Sequence, residues 1–384
     1  MTSDPSRISL DYEAFRTNLP FAVEATNVPG IFSIPNPPPG FDPRTASKHD
    51  LIRHGILLRR PDAETEPELR AHWDKFCNEH WAGRIHVNPR LETRSHLRRR
   101  SRRKQNSGQA GLDLYQSWAG AISQTPINGG SWSSITGLWE VPTVSLPPGQ
   151  KPHVLNVCGG DDGGPPQTFS AGPWLSATWI GLGGYHFLVP TASVDQVGSD
   201  IIQIGVTHNI DVDGNASYQA FYEWYVDNGQ EEPGTMQLVS TEDFPVAPGD
   251  VISASVNYIP SQNMGAQVSL YNQKSRKSFS HLIVTPAGSN YTGITAEWVL
   301  EATSPIYNQQ DDSTFPAFTP VTFACMLSCA TDGPAVAANQ YLLYQNLGEI
   351  QCETLNSCLE NNALTQTTFS TSDLVQVTIE RTAN

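Results

Sequence analysis

Two short stretches of this sequence carry side chains able to hydrolyse an amide bond. They are Ile201-Ile-Gln-Ile-Gly-Val206 and Ala296-Glu-Trp-Val-Leu-Glu301, and both read as β-strands. Residues two apart in a strand share a face. Gln203, Gly205 and Thr207 therefore point one way, while Ile202, Ile204 and Val206 point into packing. Glu297, Val299 and Glu301 likewise stand opposite Ala296, Trp298 and Leu300. Polar residues flanked by apolar neighbours on two separate strands suit one concave sheet surface. Amide hydrolysis needs a base for water, a donor for the oxyanion and an acid for the leaving nitrogen. Glu301 supplies the base and then the acid, and the Gln203 NH2 donates to the oxyanion without titrating. Such chemistry needs neither metal nor covalent intermediate, so no cofactor is expected.

Other candidates are weaker. Glu223 reads either as a site carboxylate or as a buried hydrogen-bond partner. A glycosidase built on Glu297 and Glu301 would want carboxyls about 5–5.5 Å apart. In a regular strand their Cα atoms lie about 13 Å apart, so that reading needs a bulge. Cys325-x-x-x-Cys329 looks metal-like, but no His follows His281, and a zinc site is not expected. Cys352 and Cys358 frame a short loop that an oxidising compartment could bridge.

The elements that must position these residues are strands. From Ser117 onward the candidates are 134–144, 177–183, 201–210, 217–226, 236–240, 251–259, 267–272, 278–285, 296–302, 321–327, 340–345 and 374–381, separated by Gly, Pro, Asp and Asn clusters. Their number and the lack of helices between them favour two packed antiparallel sheets, a β-sandwich. The part before residue 84 has Pro-rich punctuation and one helical stretch over 66–80. There Leu69, Trp73, Phe76 and Cys77 fall on one face.

Several segments in order resemble the glutamic peptidases, the eqolisin family. Ser117-Trp-Ala-Gly-Ala-Ile122 resembles the family's opening Asn-Trp-x-Gly strand, and Ser134-Ile-Thr-Gly-Leu-Trp-Glu-Val-Pro142 the strand after it. Thr178-Trp-Ile-Gly-Leu-Gly-Gly184 resembles Trp-Val-Gly-Ile-Asp-Gly, and Tyr218-Gln-Ala-Phe-Tyr-Glu-Trp-Tyr225 resembles Tyr-Asp-Ala-Trp-Tyr-Glu-Trp-Tyr. Residues 201–206 are similar to the segment bearing the family's catalytic glutamine, and 296–301 to the strand ending in its catalytic glutamate. The resemblance implies an all-β antiparallel β-sandwich of the concanavalin-like jelly-roll type, with Gln203 and Glu301 as the catalytic pair of a metal-independent acid endopeptidase. Trp118, Trp179, Phe221, Glu223 and Tyr225 are its implied substrate-binding residues, and proteins or peptides its implied substrates. Three carboxylates usual in the family are replaced, by Gly183, Thr207 and Gln219. Clustered carboxylates raise one another's pKa, so these departures bear on the working pH. They also motivate the competing reading, a non-catalytic lectin-like β-sandwich that binds carbohydrate or protein.

Charge divides the chain. Residues 1–104 hold 18 Lys/Arg and 13 Asp/Glu, a net of +5, and the rest holds 5 and 25, a net of −20. A carboxylate-rich domain loses self-repulsion as it protonates and is suited to acid. The expected division is an N-terminal extension over 1–110, with a basic linker at 84–104, and a β-sandwich peptidase domain over 111–384. The extension reads as a pro-segment that inhibits its own enzyme, a zymogen arrangement: basic against acidic at neutral pH, released as carboxylates protonate. The tract ending Arg98-Arg99-Arg100-Ser-Arg102-Arg103-Lys104 is not expected to fold on its own, because its charges repel. No aromatic or fold motif accompanies it, so no nucleic-acid partner is expected. No run approaches the roughly 20 apolar residues of a membrane helix, and no membrane partner is expected. The start, Met-Thr-Ser-Asp-Pro-Ser-Arg, lacks a signal peptide's apolar run. The family resemblance nevertheless implies an extracellular or acidic compartment.

Overall fold

The computed structural model describes residues 16–58, 60–81, 83–96, 118–124, 131–146, 154–157, 167–170, 174–184, 200–211, 213–226, 234–259, 265–302, 316–330, 335–337, 365–370 and 376–381. The 340–345 strand, the basic run 97–104 and Cys158, Cys352 and Cys358 lie outside these residues.

The N-terminal part comprises β1 (Glu24–Ala25), β2 (Ile31–Ser33), α1 (Lys48–Arg53), α2 (Pro67–Trp81), β3 (Ile85–His86) and β4 (Leu91–His96). Next come β5 (Trp118–Gln124), β6 (Trp132–Glu140), β7 (Val144–Ser145), β8 (Val154–Val157), β9 (Gln167–Ser170) and β10 (Trp174–Gly183). Then follow β11 (Ile201–Ile210), β12 (Ala216–Tyr225), β13 (Gly234–Val239), β14 (Val251–Ile259), β15 (Gly265–Asn272) and β16 (Lys277–Ile283). The chain ends with β17 (Thr295–Ala302), β18 (Ala317–Phe318), β19 (Val321–Ala330), β20 (Ala335–Ala337), β21 (Thr365–Ser370) and β22 (Gln376–Arg381).

Two large sheets form the sandwich. One has seven strands in the order β4-β13-β12-β11-β10-β17-β5, and every neighbouring pair in it is antiparallel. The other has eleven, along β1-β2-β16-β15-β14-β6-β19-β22-β21 with β3 and β20 attached. The core lies between them. Ile202, Ile204 and Val206 of β11, Tyr222 and Trp224 of β12 and Trp298 and Leu300 of β17 pack against Ile135, Trp139, Ile252, Val256, Val268 and Phe279 of the second sheet. The alternation read from 201–206 and 296–301 is the alternation observed. Polar tips cross the core where they find partners: Trp139 Nε1 donates to Thr178 Oγ1 at 3.0 Å, and Trp298 Nε1 to the Thr136 carbonyl at 2.7 Å. Gly137 lets the sheets approach, since a Cβ there would lie 2.8 Å from Ile180 Cγ2.

The N-terminal part is woven into this sandwich. β4 pairs with β13 over six residues and forms one rim of the seven-stranded sheet. β2 pairs with β16 and extends the second sheet. The expected helix is α2, one residue displaced at each end; its buried stripe is Trp73, Phe76, Cys77 and His80, with Leu69 partly buried. It packs on the outer side of the second sheet, beside Cys325, Leu327 and Cys329, and its Cys77 joins them in one apolar cluster. This explains an otherwise odd group of buried polar residues. Ser253, Ser255, Asn257, Gln267, Ser269 and Ser280 are buried on that outer face, and the N-terminal part covers and satisfies several of them. His80 lies 2.8 Å from Ser253 Oγ and 2.9 Å from Ser269 Oγ, and Gln267 Nε2 donates to the Gly55 carbonyl at 2.5 Å. The first half of 84–104, expected not to fold on its own, forms strands only by joining the sandwich. β3 and β4 borrow hydrogen-bond partners from existing sheet edges, which an isolated basic run lacks.

Candidate active site

The seven-stranded sheet turns one face to the core, and the other carries the candidate site. Register assigns the residues of that second face without ambiguity, because directly opposed residues share a side. One row runs across all seven strands: Arg94, Met236, Glu223, Gln203, Gly181, Glu297 and Ile122. Glu301 stands four residues along β17 from Glu297 and faces Ala177 of β10. Gln203 and Glu301 thus lie on strands that flank the same central strand, and on the same face of the sheet.

Trp179 stands between the two on β10. Its ring is fully buried on this face, and its Nε1 donates to Glu301 Oε2 at 2.9 Å. Two glycines make room for it. A Cβ on Gly205, directly opposite Trp179, would lie 2.1 Å from the Thr178 carbonyl oxygen and 2.5 Å from Trp179 Cβ. A Cβ on Gly181 would lie 2.9 Å from Trp179 Cζ3. Phe221, Val299, Leu238 and Ile122 pack around the indole as a separate apolar cluster, with Tyr225 and Met236 at its margin.

Burial grades the site residues. Gln203 is 4% exposed and Glu223 1%, whereas Glu301 and Tyr225 are half-buried. Gln203 Nε2 donates to Glu223 Oε2 at 2.9 Å, while the buried Gln203 Oε1 has no hydrogen-bond partner. Of the implied substrate-binding residues, Trp179, Phe221 and Glu223 form the floor of the face, and Tyr225 is its more open edge. Trp118 opposes Glu301 in register on β5. The Glu297–Glu301 glycosidase reading is corrected: β17 pairs with β10 without a register shift from Ala296 to Ala302, so no bulge brings those carboxylates together.

The three departures have local causes. Gly183 has a φ of 82°, a left-handed conformation that glycine adopts far more readily than aspartate. Thr207 and Gln219 are directly opposed across β11 and β12, and each is tied to a backbone carbonyl. Thr207 Oγ1 donates to the Gln219 carbonyl at 3.1 Å, and Gln219 Nε2 to that of Val239 at 3.0 Å. Sequence reasoning missed Asp200. It is fully buried just before β11, and its Oδ2 accepts from Trp224 Nε1 at 2.9 Å, Ser289 Oγ at 2.5 Å and Asn290 N at 3.1 Å. Its position beside an apolar strand start was the available signal.

Fold and site together define an antiparallel β-sandwich that displays an amide and a carboxylate on the outer face of one sheet. Residues 116–379 match the Peptidase A4 family, and the chain belongs to that family. It is 25% identical over 195 residues to Aspergillopepsin-2 of Aspergillus niger, across 51% of this chain and 58% of that protein. The chain therefore spans less than two thirds of that relative's length. Among solved structures, scytalido-glutamic peptidase with a transition state analog inhibitor is 18% identical, with a TM-score of 0.45 over 70% of this chain and all of that one. SCP-B, a member of the Eqolisin family in a complex with the tripeptide Ala-Ile-His, is 16% identical, with a TM-score of 0.43 and the same coverage.

Proposed function

We propose that this chain is an acid endopeptidase in which Glu301 activates water and then protonates the leaving nitrogen, while the Gln203 amide donates to the oxyanion. The observation that carries this reading is the common face: Gln203 opposes Gly181 and Glu301 opposes Ala177, on either side of β10. Two strand spacings across and four residues along place their Cα atoms roughly 16 Å apart in a flat sheet. Between them on β10 stands Trp179, whose indole holds Glu301, and the hydrolytic water would bind above that ring. The Trp179 indole can only donate, so it holds Glu301 through a lone pair and fixes where the carboxyl points.

The peptide substrate would lie across the face from the half-buried Glu301 toward the half-buried Tyr225, over the apolar floor of Trp179 and Phe221. The N-terminal part is the proposed internal restraint on this site, a reading supported by the +5 against −20 charge division and by the seat of β4 on the rim of the same sheet.

The test is Gln203→Ala beside Glu301→Gln, assayed on denatured protein at acid pH with folding confirmed. Loss of an oxyanion donor costs roughly 10²–10³ in kcat, and loss of the general base at least roughly 10². Either variant retaining full activity removes that residue from the mechanism.

A further inference from the structure

Gln203 is held by a carboxylate, and this constrains what its amide can do. A glutamine amide has an NH2 end and an oxygen end, and an ionised carboxylate can only accept. Glu223 Oε2 lies 2.9 Å from Gln203 Nε2, and Gln203 Oε1 is buried without a partner. Both residues are directly opposed in register, and both are at least 96% buried. An ionised Glu223 therefore pins one N–H and places a negative charge beside the spot where the oxyanion must develop. A protonated Glu223 removes that charge and offers an O–H that the unpartnered Gln203 Oε1 can accept. The NH2 end is then free to face the substrate.

We propose that Glu223 is the positioning residue of Gln203, and that its protonation turns the amide's donor end toward the developing oxyanion. This rests on the reading that Gln203 is the oxyanion donor. It makes two carboxyls share the pH dependence: Glu301 must be ionised to activate water, and Glu223 must be protonated to release the amide. Activity then rises with ionisation of one and falls with ionisation of the other. The ionisable groups on the same face are Arg94 and Glu92 of β4, Tyr225 of β12 and Glu297 and Glu301 of β17; β10, β11 and β13 present none there among the described residues. Arg94 is tied to Glu92 at 2.9 Å, with Met236 between it and Glu223.

The experiment compares Glu223→Gln and Glu223→Leu with the wild type, measuring kcat and KM on a peptide substrate from pH 2 to 7. A glutamine at 223 can pair with Gln203 in either orientation and does not titrate. Its kcat should persist at least one pH unit further toward neutral than that of the wild type. Leucine leaves the amide unanchored and should lower kcat roughly tenfold or more, with KM little changed, as expected for an interaction made in the transition state. A Glu223→Gln profile that coincides with the wild type's, or a Glu223→Gln enzyme inactive throughout, overturns the proposal; should the leucine variant not fold, the glutamine variant decides alone. If Gln203→Ala and Glu301→Gln are both inactive while the Glu223→Gln profile is unmoved, this inference fails and the catalytic pair stands. If Glu301→Gln is active, the pair itself falls.

Discussion

Single buried residues set how the molecule responds to pH. His208 and His281 lie inside the sandwich, and burial pushes each from the ordinary 6.5 down to about 3. His208 sits 3.1 Å from Ser176 Oγ and 3.2 Å from Thr178 Oγ1, a neutral ring between two hydroxyls. The folded state favours the neutral ring, so the unfolded chain binds protons first. The resulting stability is complete above about pH 6.5 and is lost as pH falls toward about 3. At about 1.4 kcal/mol per unit, moving from pH 7 to pH 4 removes on the order of 3 kcal/mol for this one histidine. His208→Gln, compared with the wild type by urea unfolding at both pH values, should shrink the difference in stability by about that amount. An unchanged difference would falsify the linkage. At this scale the sequence marked Gln203, Glu223 and Glu301 as candidates through the ordered resemblance to the glutamic peptidases, with strand alternation giving Gln203 and Glu301 their polar faces. The Trp179–Glu301 hydrogen bond was not legible, because it depends on strand register, which residue spacing within one strand does not encode.

Whole elements were easier to read than their partnerships. Strand β11 was expected over 201–210 and observed there, and β14 over 251–259 likewise, because both alternate cleanly between turn signals. β1 to β4 were missed, since each is short or polar and becomes a strand only by borrowing an edge of the sandwich. The outer face of β14 to β16 shows the converse: its serines and Gln267 are buried, and the N-terminal part bonds several of them. Register also fixes which glycines cannot change. Gly205→Ala would press a methyl against the backbone of β10 at Thr178 and Trp179. Overpacking against backbone should cost about 3 kcal/mol or more. The same shift would pull the indole from Glu301, so a lowered denaturation midpoint should be accompanied by lowered kcat. Wild-type values for both would show that β10 and β11 are not held this closely.

Over the whole molecule the charge division was legible, but the manner of N-terminal attachment was not. A net of +5 against −20 suggested a segment held by electrostatics and released by acid. Among the described residues no salt bridge joins the two parts; the contacts include the β4–β13, β2–β16 and β3–β16 ladders, the apolar packing of α2 and side-chain hydrogen bonds, of which only a few, such as Arg90 N to Asp243 and Gln273 to Glu79, involve a carboxylate. Backbone ladders and apolar burial do not weaken as carboxylates protonate. Trypsin cutting within the Arg98–Lys104 run, followed by gel filtration at pH 7 and at pH 4, should therefore give two fragments that elute together at both. An N-terminal fragment eluting alone at pH 4 would show that charge holds it after all. Activity measured before and after the cut tests the proposed restraint in the same sample.

β4 and β5 are consecutive in the chain among the described strands of the seven-stranded sheet, yet they occupy its opposite edges. Six strand intervals separate them, about 29 Å at the usual spacing. A fully extended chain gains about 3.4 Å per residue, so a tether of fewer than about nine residues cannot span that breadth. The 21 residues between His96 and Trp118 exceed that minimum more than twofold; only variants cut below about nine residues must give up one border strand, and the seven-stranded sheet would then expose a raw edge to other molecules.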